Sequence, residues 1–326
     1  MIHFIINIKM SNYINVNSVS TFFSKSTRNS NDATNKIREQ VLKLLGNPPE
    51  EYLENEEFGN NWRTLQYEWN NALKNMANYT DIPQYTSTDI QLKGGRKFNY
   101  DADIIYYNEP NCVVAKRKIE FKNGCSNIGS LPQFLSLQAK NVGLFSETYD
   151  KFWYDNYLDK YIACDIDITQ PKPPREEYIN YVTNTTYSIT PFFDQLKNRE
   201  TFFKIDKNTV VNNSITDYLT QYGHTINIEY FTEKVRATQT DKIYLLWYNG
   251  KFYIDKISDK EMSGIYFHSI KNGNVIELKS ASCNTMYSLL LRWRNHKGIL
   301  NPAWQISMKR ISNPDTNNTE ANDVKI

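Results

Sequence analysis

Residues 100–122, with the sequence YDADIIYYNEPNCVVAKRKIEFK, carry the pattern that decides the fold. The segment YDADIIYY has the apolar and aromatic content of a β-strand, and VVAKRKIEFK predicts a longer strand that ends at Asn123-Gly124. Between them, the polar stretch from Asn108 to Asn111 predicts a turn. Two strands joined by so short a connection are expected to pair antiparallel.

Charged side chains recur with a period of two in the second strand. Because successive side chains of a strand point to opposite faces, Lys118, Glu120 and Lys122 share one face, while the intervening Ile and Phe point into the core. Asp101 and Asp103 also share a face, and pairing through a short turn can bring one of them beside Glu120. The sequence therefore predicts that two carboxylates and a lysine converge.

That grouping suits the hydrolysis of a phosphodiester bond. Mg²⁺ prefers oxygen ligands and keeps bound water, so Asp103 and Glu120 are predicted to hold it, with the backbone carbonyl of Phe121 as a further ligand. Lys122 would orient or deprotonate the attacking water and offset the charge that develops on the phosphate. A structural interpretation stays open, because an E-x-K sequence is common on exposed strands and paired aspartates are typical of solvated edge strands.

The order of elements over roughly residues 60–140 resembles the PD-(D/E)XK nuclease superfamily: a helix, a strand with Asp, a strand with E-x-K and a further helix. The resemblance implies an α/β fold of the restriction-endonuclease-like kind, with a mixed central sheet flanked by helices. It implies Glu120 and Lys122 as catalytic residues, with Asp103 as the catalytic aspartate and Asp101 as the second choice. The implied cofactor is Mg²⁺, with Mn²⁺ as an alternative.

An amphipathic helix precedes the two strands. Its apolar residues recur at helical spacing: Trp62, Leu65, Trp69, Leu73 and Met76. Many members of the superfamily carry an acidic residue on this helix. Glu68 flanks the apolar stripe and is expected to reach the sheet, whereas Glu39 lies opposite the stripe of an earlier helix, so Glu68 is the predicted residue.

The expected activity is the metal-dependent cleavage of DNA, with duplex DNA as the substrate that the family favours. A helix is predicted to begin at Pro132 and to run through Phe134, Leu135 and Leu137. Its glutamines have no Tyr four residues later, unlike those of RecB-like exonucleases, which favours an endonuclease. Two rivals remain: a catalytically inactive nucleic-acid-binding or virion-associated protein with this fold, and a scaffold whose tyrosines mediate protein contacts.

Basic residues in two regions are candidates for DNA contact. Residues 284–311 contain no acidic side chain and interleave Trp293 and Trp304 with basic residues, and a second basic group precedes the Asp-bearing strand. For residues 284–311 the alternative is a buried Leu/Trp element with ordinary surface arginines. For the second group it is a solvated patch beside a turn. The predicted nucleic-acid-binding residues are Lys93, Arg96, Lys97, Arg292, Arg294 and Lys297.

The domain prediction divides the chain into four parts. Residues 1–33 are a flexible arm, 34–190 the nuclease core, 191–312 a β-rich region that binds DNA or completes the core, and 313–326 a disordered tail. The core would begin with a helix over residues 37–45, and the prolines at 171–174 mark a candidate linker. Asn249-Gly250 and Asn272-Gly273 each predict a β-hairpin.

Composition excludes several other classes. The 38 basic and 36 acidic residues nearly cancel, so a nucleic-acid surface must come from local clusters. Four scattered cysteines and four scattered histidines provide neither a zinc motif nor a disulfide framework. The opening apolar run is too short for a membrane span, so an intracellular protein, cytoplasmic or nuclear, without a membrane partner is expected. The sequence leaves open whether the chain acts alone or as a homodimer.

Overall fold

The computed structural model describes residues 56–93, 98–138, 142–184, 190–198, 204–293, 295–296, 299–300 and 302–311. These residues form a mixed α/β protein with two five-stranded sheets and several helices. They divide into two compact units. The first contains the described residues up to Ser130 together with Thr240–Ile257, and the second contains Leu131–Gln239 and the described residues from Ser258 onward.

The first unit contains one long helix and five strands. They are α1 (Glu56–Tyr79), β1 (Ser87–Leu92), β2 (Ala102–Glu109), β3 (Cys112–Asn123), β5 (Ile243–Tyr248) and β6 (Lys251–Asp255).

The second unit contains the remaining elements. Its helices are α2 (Tyr149–Asn156), α3 (Leu158–Ala163), α4 (Arg175–Asn184), α5 (Pro191–Asn198), α6 (Lys204–Tyr222) and α7 (Ile228–Gln239). Its strands are β4 (Leu135–Gln138), β7 (Ile265–Lys271), β8 (Val275–Ser280), β9 (Thr285–Arg292), β10 (Asn295–His296), β11 (Ile299–Leu300) and β12 (Ala303–Arg310).

The sheet of the first unit is mixed. Its strand order is β1-β2-β3-β5-β6, and the β3–β5 pair is parallel while the other neighbours are antiparallel. Helix α1 buries Leu65, Trp69 and Met76 in a core shared with Ile119 and Phe121 of β3. The predicted helix, the antiparallel β2–β3 pair and the inward direction of these two β3 side chains are therefore confirmed. The opposite face of β3 carries Lys118, Glu120 and Lys122.

Both predicted Asn-Gly hairpins are present. Asn249 and Gly250 have φ of 48° and 79° and join β5 to β6, and Asn272 and Gly273 have φ of 51° and 67° in the connection from β7 to β8. Such positive φ values at two consecutive positions favour Asn-Gly because Asn tolerates the left-handed region and Gly enters it without a steric cost.

Aromatic side chains fill much of the second unit. Its sheet is antiparallel throughout, in the order β4-β12-β9-β8-β7. Trp304 of β12 is fully buried and its ring centroid lies 5.0 Å from that of Phe145, while the rings of Trp153 and Trp293 are 4.5 Å apart. Trp304, one of the two tryptophans predicted to stack on bases, therefore belongs to the hydrophobic core.

The helix predicted from Pro132 is wrong. Leu135–Gln138 is instead a strand, β4, which pairs with β12 through Leu135–Ile306 and Leu137–Trp304. The sequence LSLQ alternates apolar and polar residues, and its period of two fits a sheet edge better than a helix face. The proline-rich segment at 171–174 joins α3 to α4 within the second unit, where the Tyr154 hydroxyl donates to the Pro173 carbonyl at 2.7 Å.

Several predicted segments lie outside the described residues or differ in content. The arm of residues 1–33, the helix at 37–45 and the tail from 313 are outside the described ranges. The stretch 191–312, expected to be rich in strands, begins with the three helices α5, α6 and α7. None of the described helices combines the length and apolarity needed to cross a membrane.

The packing of α1 on the sheet predicts how one truncation affects stability. Met76→Ala removes a fully buried side chain from this core, so we expect the free energy of unfolding to fall by about 2–5 kcal/mol. Asn75→Ala, at an exposed position of the same helix, should change it by less than about 0.5 kcal/mol. Urea unfolding followed by circular dichroism measures both, and equal effects would contradict the packing described.

Candidate active site

Asp101 extends the β2–β3 pairing by one residue beyond β2. Its backbone N–H donates to the Ile119 carbonyl at 2.8 Å, and its Oδ2 accepts the N–H of Phe121, also at 2.8 Å. Ala102, which pairs with Ile119, is the first residue of the ladder, so Asp101 lies one residue beyond it, near enough to Glu120 for that charge to affect its pKa. A side-chain oxygen thereby takes the position of a backbone acceptor and fixes the carboxylate against β3.

Two lysines contact the Glu120 carboxylate, one at each oxygen. Lys122 Nζ lies 2.6 Å from Oε1 and Lys242 Nζ lies 2.9 Å from Oε2. Lys242 immediately precedes β5, and its side chain is only 3% exposed, whereas that of Lys122 is 31% exposed. The ammonium of Lys242 also donates to the Asn99 carbonyl. A carboxylate pair and two ammonium groups thus form one cluster.

The two carboxylates of the cluster have opposite pKa shifts. Burial, with the charge of Glu120 adding to it, raises the pKa of Asp101 to about 6, against the opposing effects of Lys122, the Phe121 N–H and Lys242. Burial also acts to raise the pKa of Glu120, but the ammonium groups of Lys122 and Lys242 outweigh it and hold that pKa below its usual value. Near neutral pH, Glu120 is therefore firmly anionic, while Asp101 carries its charge at an energetic cost.

Asp103 lies in a different charge environment from Asp101. It pairs with Lys118 across the strands, its side chain is fully buried, and its Oδ2 lies 2.9 Å from Lys116 Nζ and 3.5 Å from Lys93 Nζ. The hydrogen bond to this carboxylate raises the pKa of Lys116, against the opposing effect of burial. The structure therefore brings Asp101 beside Glu120, and surrounds the first-choice Asp103 with lysines.

The connection between the strands determines this arrangement. Glu109 pairs with Cys112, so the turn is only Pro110-Asn111, and Asn111 adopts a φ of 66°. The predicted turn from Asn108 to Asn111 would instead pair Tyr107 with Cys112 and bring Asn99 opposite Glu120, so the choice of Asp103 rested on the resemblance and not on turn length. Two register shifts close to the turn, on either side of Tyr107, offset each other, so the pair Ala102–Ile119 keeps the register that the two-residue turn sets.

The other residues of the predicted site occupy separate positions. Glu68 is half-buried on α1, which packs on the sheet face that carries Ile119 and Phe121, while Glu120 projects from the opposite face. Phe121 has its ring in the core and its N–H directed at Asp101. In extended backbone, the carbonyl of a residue points to the same strand edge as its N–H, so the Phe121 carbonyl lies on the Asp101 side of β3.

The predicted DNA-binding residues can be located only in part. Lys93 is half-buried beside Asp103, and Arg292 is exposed at the end of β9. Arg310, from the same basic stretch, forms a 2.6 Å ion pair with Glu261. The other four predicted residues, Arg96, Lys97, Arg294 and Lys297, lie outside the described residues.

Lys242 is the member of the cluster that sequence reasoning missed. It is 122 residues from Glu120 along the chain and belongs to no local motif. It reaches Glu120 because β5 runs parallel to β3, with Ile243 beside Ile119 and Tyr244 beside Glu120. The one available signal was a lysine directly before the strongly apolar strand IYLLWY, where a charged side chain must find a partner to be buried.

The oxygen donors of the cluster suit a hard divalent cation. Within the described ranges, no three His, Cys, Asp or Glu side chains gather as a metal-binding group, so a cation here depends on Asp101 and Glu120 with other oxygens. Mg²⁺ is commonly held by one or two carboxylates, with water and substrate phosphate as the remaining ligands. The charge of Glu120 also contributes to the raised pKa of Asp101, and a cation between the two groups would relieve that repulsion.

Comparison with known proteins leaves the family open. No protein-family model matches the chain, and no curated protein matches it significantly.

The raised pKa of Asp101 predicts how stability depends on pH. The folded state binds the Asp101 proton more tightly than the unfolded state, so the contribution of Asp101 to stability should fall as pH rises from about 4 through about 6. Asp101→Asn removes this penalty, and in chelator it should stabilise the protein by about 1–3 kcal/mol at pH 7.5 and by less than about half of that amount at pH 4.5. Urea unfolding at the two pH values measures the difference.

Glu109→Gln, at the exposed far end of β2, provides the matched control for the loss of one carboxylate. A benefit of Asp101→Asn that is the same at both pH values would show that the charge of Asp101 is not penalised in the folded protein.

Proposed function

We propose that this protein is a metal-dependent nuclease of the PD-(D/E)XK type, an endonuclease that hydrolyses phosphodiester bonds of DNA. The observation that carries the proposal is the approach of Asp101 to Glu120, with Lys122 on the same strand face as Glu120 and 2.6 Å from its Oε1. A mixed sheet that carries an aspartate and an E-x-K sequence on adjacent strands supports a restriction-endonuclease-like core. Duplex DNA as the substrate follows from the resemblance.

Asp101 and Glu120 would hold the divalent cation, with the Phe121 carbonyl as a further oxygen at the same strand edge. When bound, such a cation polarises a phosphate oxygen and lowers the pKa of its water. The β3 backbone orients Asp101 through the Phe121 N–H, which keeps its carboxylate directed at the site. Lys122 is the more exposed of the two lysines; as an ammonium it would orient the attacking water and offset charge on the phosphate, and only its neutral form could take the proton of the water.

Lys242 has a positioning role in this proposal. Its buried ammonium contacts Glu120 Oε2 and the Asn99 carbonyl, so it holds the glutamate in one orientation and keeps it anionic. Charge neutralisation by Lys242 leaves Lys122 available to exchange its contact with Glu120 for one with water or phosphate. The two lysines on one carboxylate therefore divide the tasks of holding the ligand and assisting the reaction.

A catalytically inactive nucleic-acid-binding protein is the second candidate, and one observation favours it. Both oxygens of Glu120 are engaged by ammonium groups, which is also how a purely structural ion-pair network satisfies a buried acid. The scaffold alternative has less support, because nine tyrosines of the described residues are buried, among them Tyr106, Tyr149, Tyr178 and Tyr244. Those side chains are occupied within the fold.

Cleavage assays separate the first two candidates. Supercoiled plasmid and linear duplex DNA are incubated with the protein and either Mg²⁺ or chelator. We expect nicking only with Mg²⁺, and a loss of at least about 100-fold in Glu120→Gln and in Lys122→Met, because each removes a group that acts on the metal or on the water. Glu109→Gln and Lys251→Met, at exposed ends of β2 and β6, are the matched controls.

The same assay with Mn²⁺ in place of Mg²⁺ completes the test. DNA binding without cleavage in either metal, by a folded protein, would favour the inactive candidate and reject the nuclease.

The choice between the two aspartates is tested by metal titration. Asp101→Asn should raise the Mg²⁺ concentration that gives half-maximal cleavage by at least about 10-fold, because it removes one of two carboxylate ligands. Asp103→Asn should leave that concentration within about twofold, since this carboxylate is engaged by Lys93 and Lys116. The reverse result would establish Asp103, the first choice from sequence, as the metal ligand.

A further inference from the structure

A cleft of about 480 Å³ opens in the first unit, lined by the end of α1, the middle of β3, the start of β5 and the residue after β6. Its charged lining is unequal in sign, with two acidic side chains, Asp81 and Asp241, against five basic ones. The basic residues are Lys116, Arg117, Lys118, Lys242 and Lys256.

The lengths of the strands explain why there is a cleft at this point. β5 pairs with β3 only from Ile119 onward, so residues 116–118 have β2 on one side and the cleft on the other. Successive side chains of a strand alternate in direction, so Arg117 leaves β3 on the opposite face from its two lysine neighbours. Basic side chains from both faces of β3 therefore line the cleft.

The nearby acids neutralise only part of this charge. Lys118 forms a 2.6 Å ion pair with Asp241, which belongs to the cleft itself. Arg117 donates to the carbonyls of Thr80 and Lys116, each at 3.0 Å, and neutral carbonyl groups do not cancel its charge. Lys256 is exposed. Lys116 and Lys242 are paired with Asp103 and Glu120, so with Asp81 and Asp241 the five cations face four acids and the cleft keeps a net charge of +1, which favours an anionic ligand.

Two of the lining lysines also contact carboxylates outside the cleft, one of which is Glu120 of the candidate active site. Lys242 Nζ lies 2.9 Å from Glu120 Oε2, and Lys116 Nζ lies 2.9 Å from Asp103 Oδ2. Lys242 therefore links the cleft to the Asp101–Glu120 pair, because its side chain lines the first and contacts the second. At the margin of the cleft, the ring of Tyr79 is 57% exposed and offers a flat apolar surface.

We propose that this cleft binds the phosphodiester backbone of a nucleic acid strand and directs it to the Asp101–Glu120 pair. The inference deepens the proposed function and rests on it for the second part of that statement. Small-molecule pockets are mostly apolar, whereas this lining is dominated by ammonium and guanidinium groups, which bind phosphates. Tyr79 can stack on a base next to the bound phosphates, an arrangement common to strand-binding surfaces.

Binding in chelator tests this surface without any cleavage. Fluorescently labelled single-stranded DNA, duplex DNA and single-stranded RNA are titrated with wild type, Lys256→Glu, Lys118→Gln and the control Lys251→Glu. Lys251 is an exposed lysine at the other end of β6, so it matches Lys256 in charge and strand. Circular dichroism and thermal unfolding establish that each variant is folded.

We expect Lys256→Glu to weaken binding of at least one probe by about 10-fold at ~0.1 M salt, and to lower the slope of log affinity against log salt by about one. Lys118→Gln should weaken the same probe by a smaller factor, and Lys251→Glu by less than twofold. The probe that responds identifies the kind of strand that the cleft takes.

Two results would overturn the inference: no binding of any probe by wild type, or equal effects of Lys256→Glu and Lys251→Glu. Neither depends on catalysis. Strand binding through the cleft without cleavage in Mg²⁺ would reject the nuclease and keep the binding surface. Cleavage that Glu120→Gln abolishes, with unchanged binding by Lys256→Glu, would keep the nuclease and reject the surface.

Discussion

The antiparallel register of β2 on β3 is the constraint on which the candidate site depends. The Pro110-Asn111 turn pairs Glu109 with Cys112, and the ladder from there determines which side chains meet across the strands. It sets Asp103 beside Lys118, and Asp101, one residue beyond the ladder, lies near Glu120. A slip of one residue would turn Ile119 and Phe121 out of the core and Glu120 into it, so burial of the apolar face holds the register.

This register gives Asp101 and Asp103, only two residues apart, different charge environments. Asp103 is fully buried and has lysines as its partners, which compensates its charge. Asp101 shares its surroundings with Glu120, whose oxygens already hold Lys122 and Lys242, so burial and repulsion favour its neutral form. An ionisable group whose charged form is disfavoured beside a like charge is typical of sites that bind a cation or transfer a proton.

The parallel strand β5 supplies what a hairpin alone lacks. It brings Lys242 to the second oxygen of Glu120 and starts late enough on β3 to leave the basic cleft open. A long segment of chain, which includes α2–α7 and β4, separates β3 from β5, as a parallel connection requires more than a tight turn. The carboxylate pair, its buried lysine and the cleft therefore arise from one arrangement of three neighbouring strands.

The sequence by itself determined the elements whose signals are local. The period of two in VVAKRKIEFK, the helical spacing from Leu65 to Met76 and the Asn-Gly turns each reflect interactions within a few residues, and those elements and their buried faces were predicted correctly. The same pattern brought Glu120 and Lys122 to one face of β3. In Leu135–Gln138, the local signal was ambiguous, and pairing with β12 decided for a strand.

Only the tertiary structure decided which acid lies by Glu120, because Asp101 stands beyond the end of the ladder and is held there by hydrogen bonds to Ile119 and Phe121 that no spacing reveals. It alone also identified Lys242, since a contact across 122 residues leaves no spacing that a local pattern can register. The physical reason is the same in both cases. The alternation of side chains within one strand shows which face of the sheet a residue occupies. Which residue lies next to it on that face depends on how separate strands align.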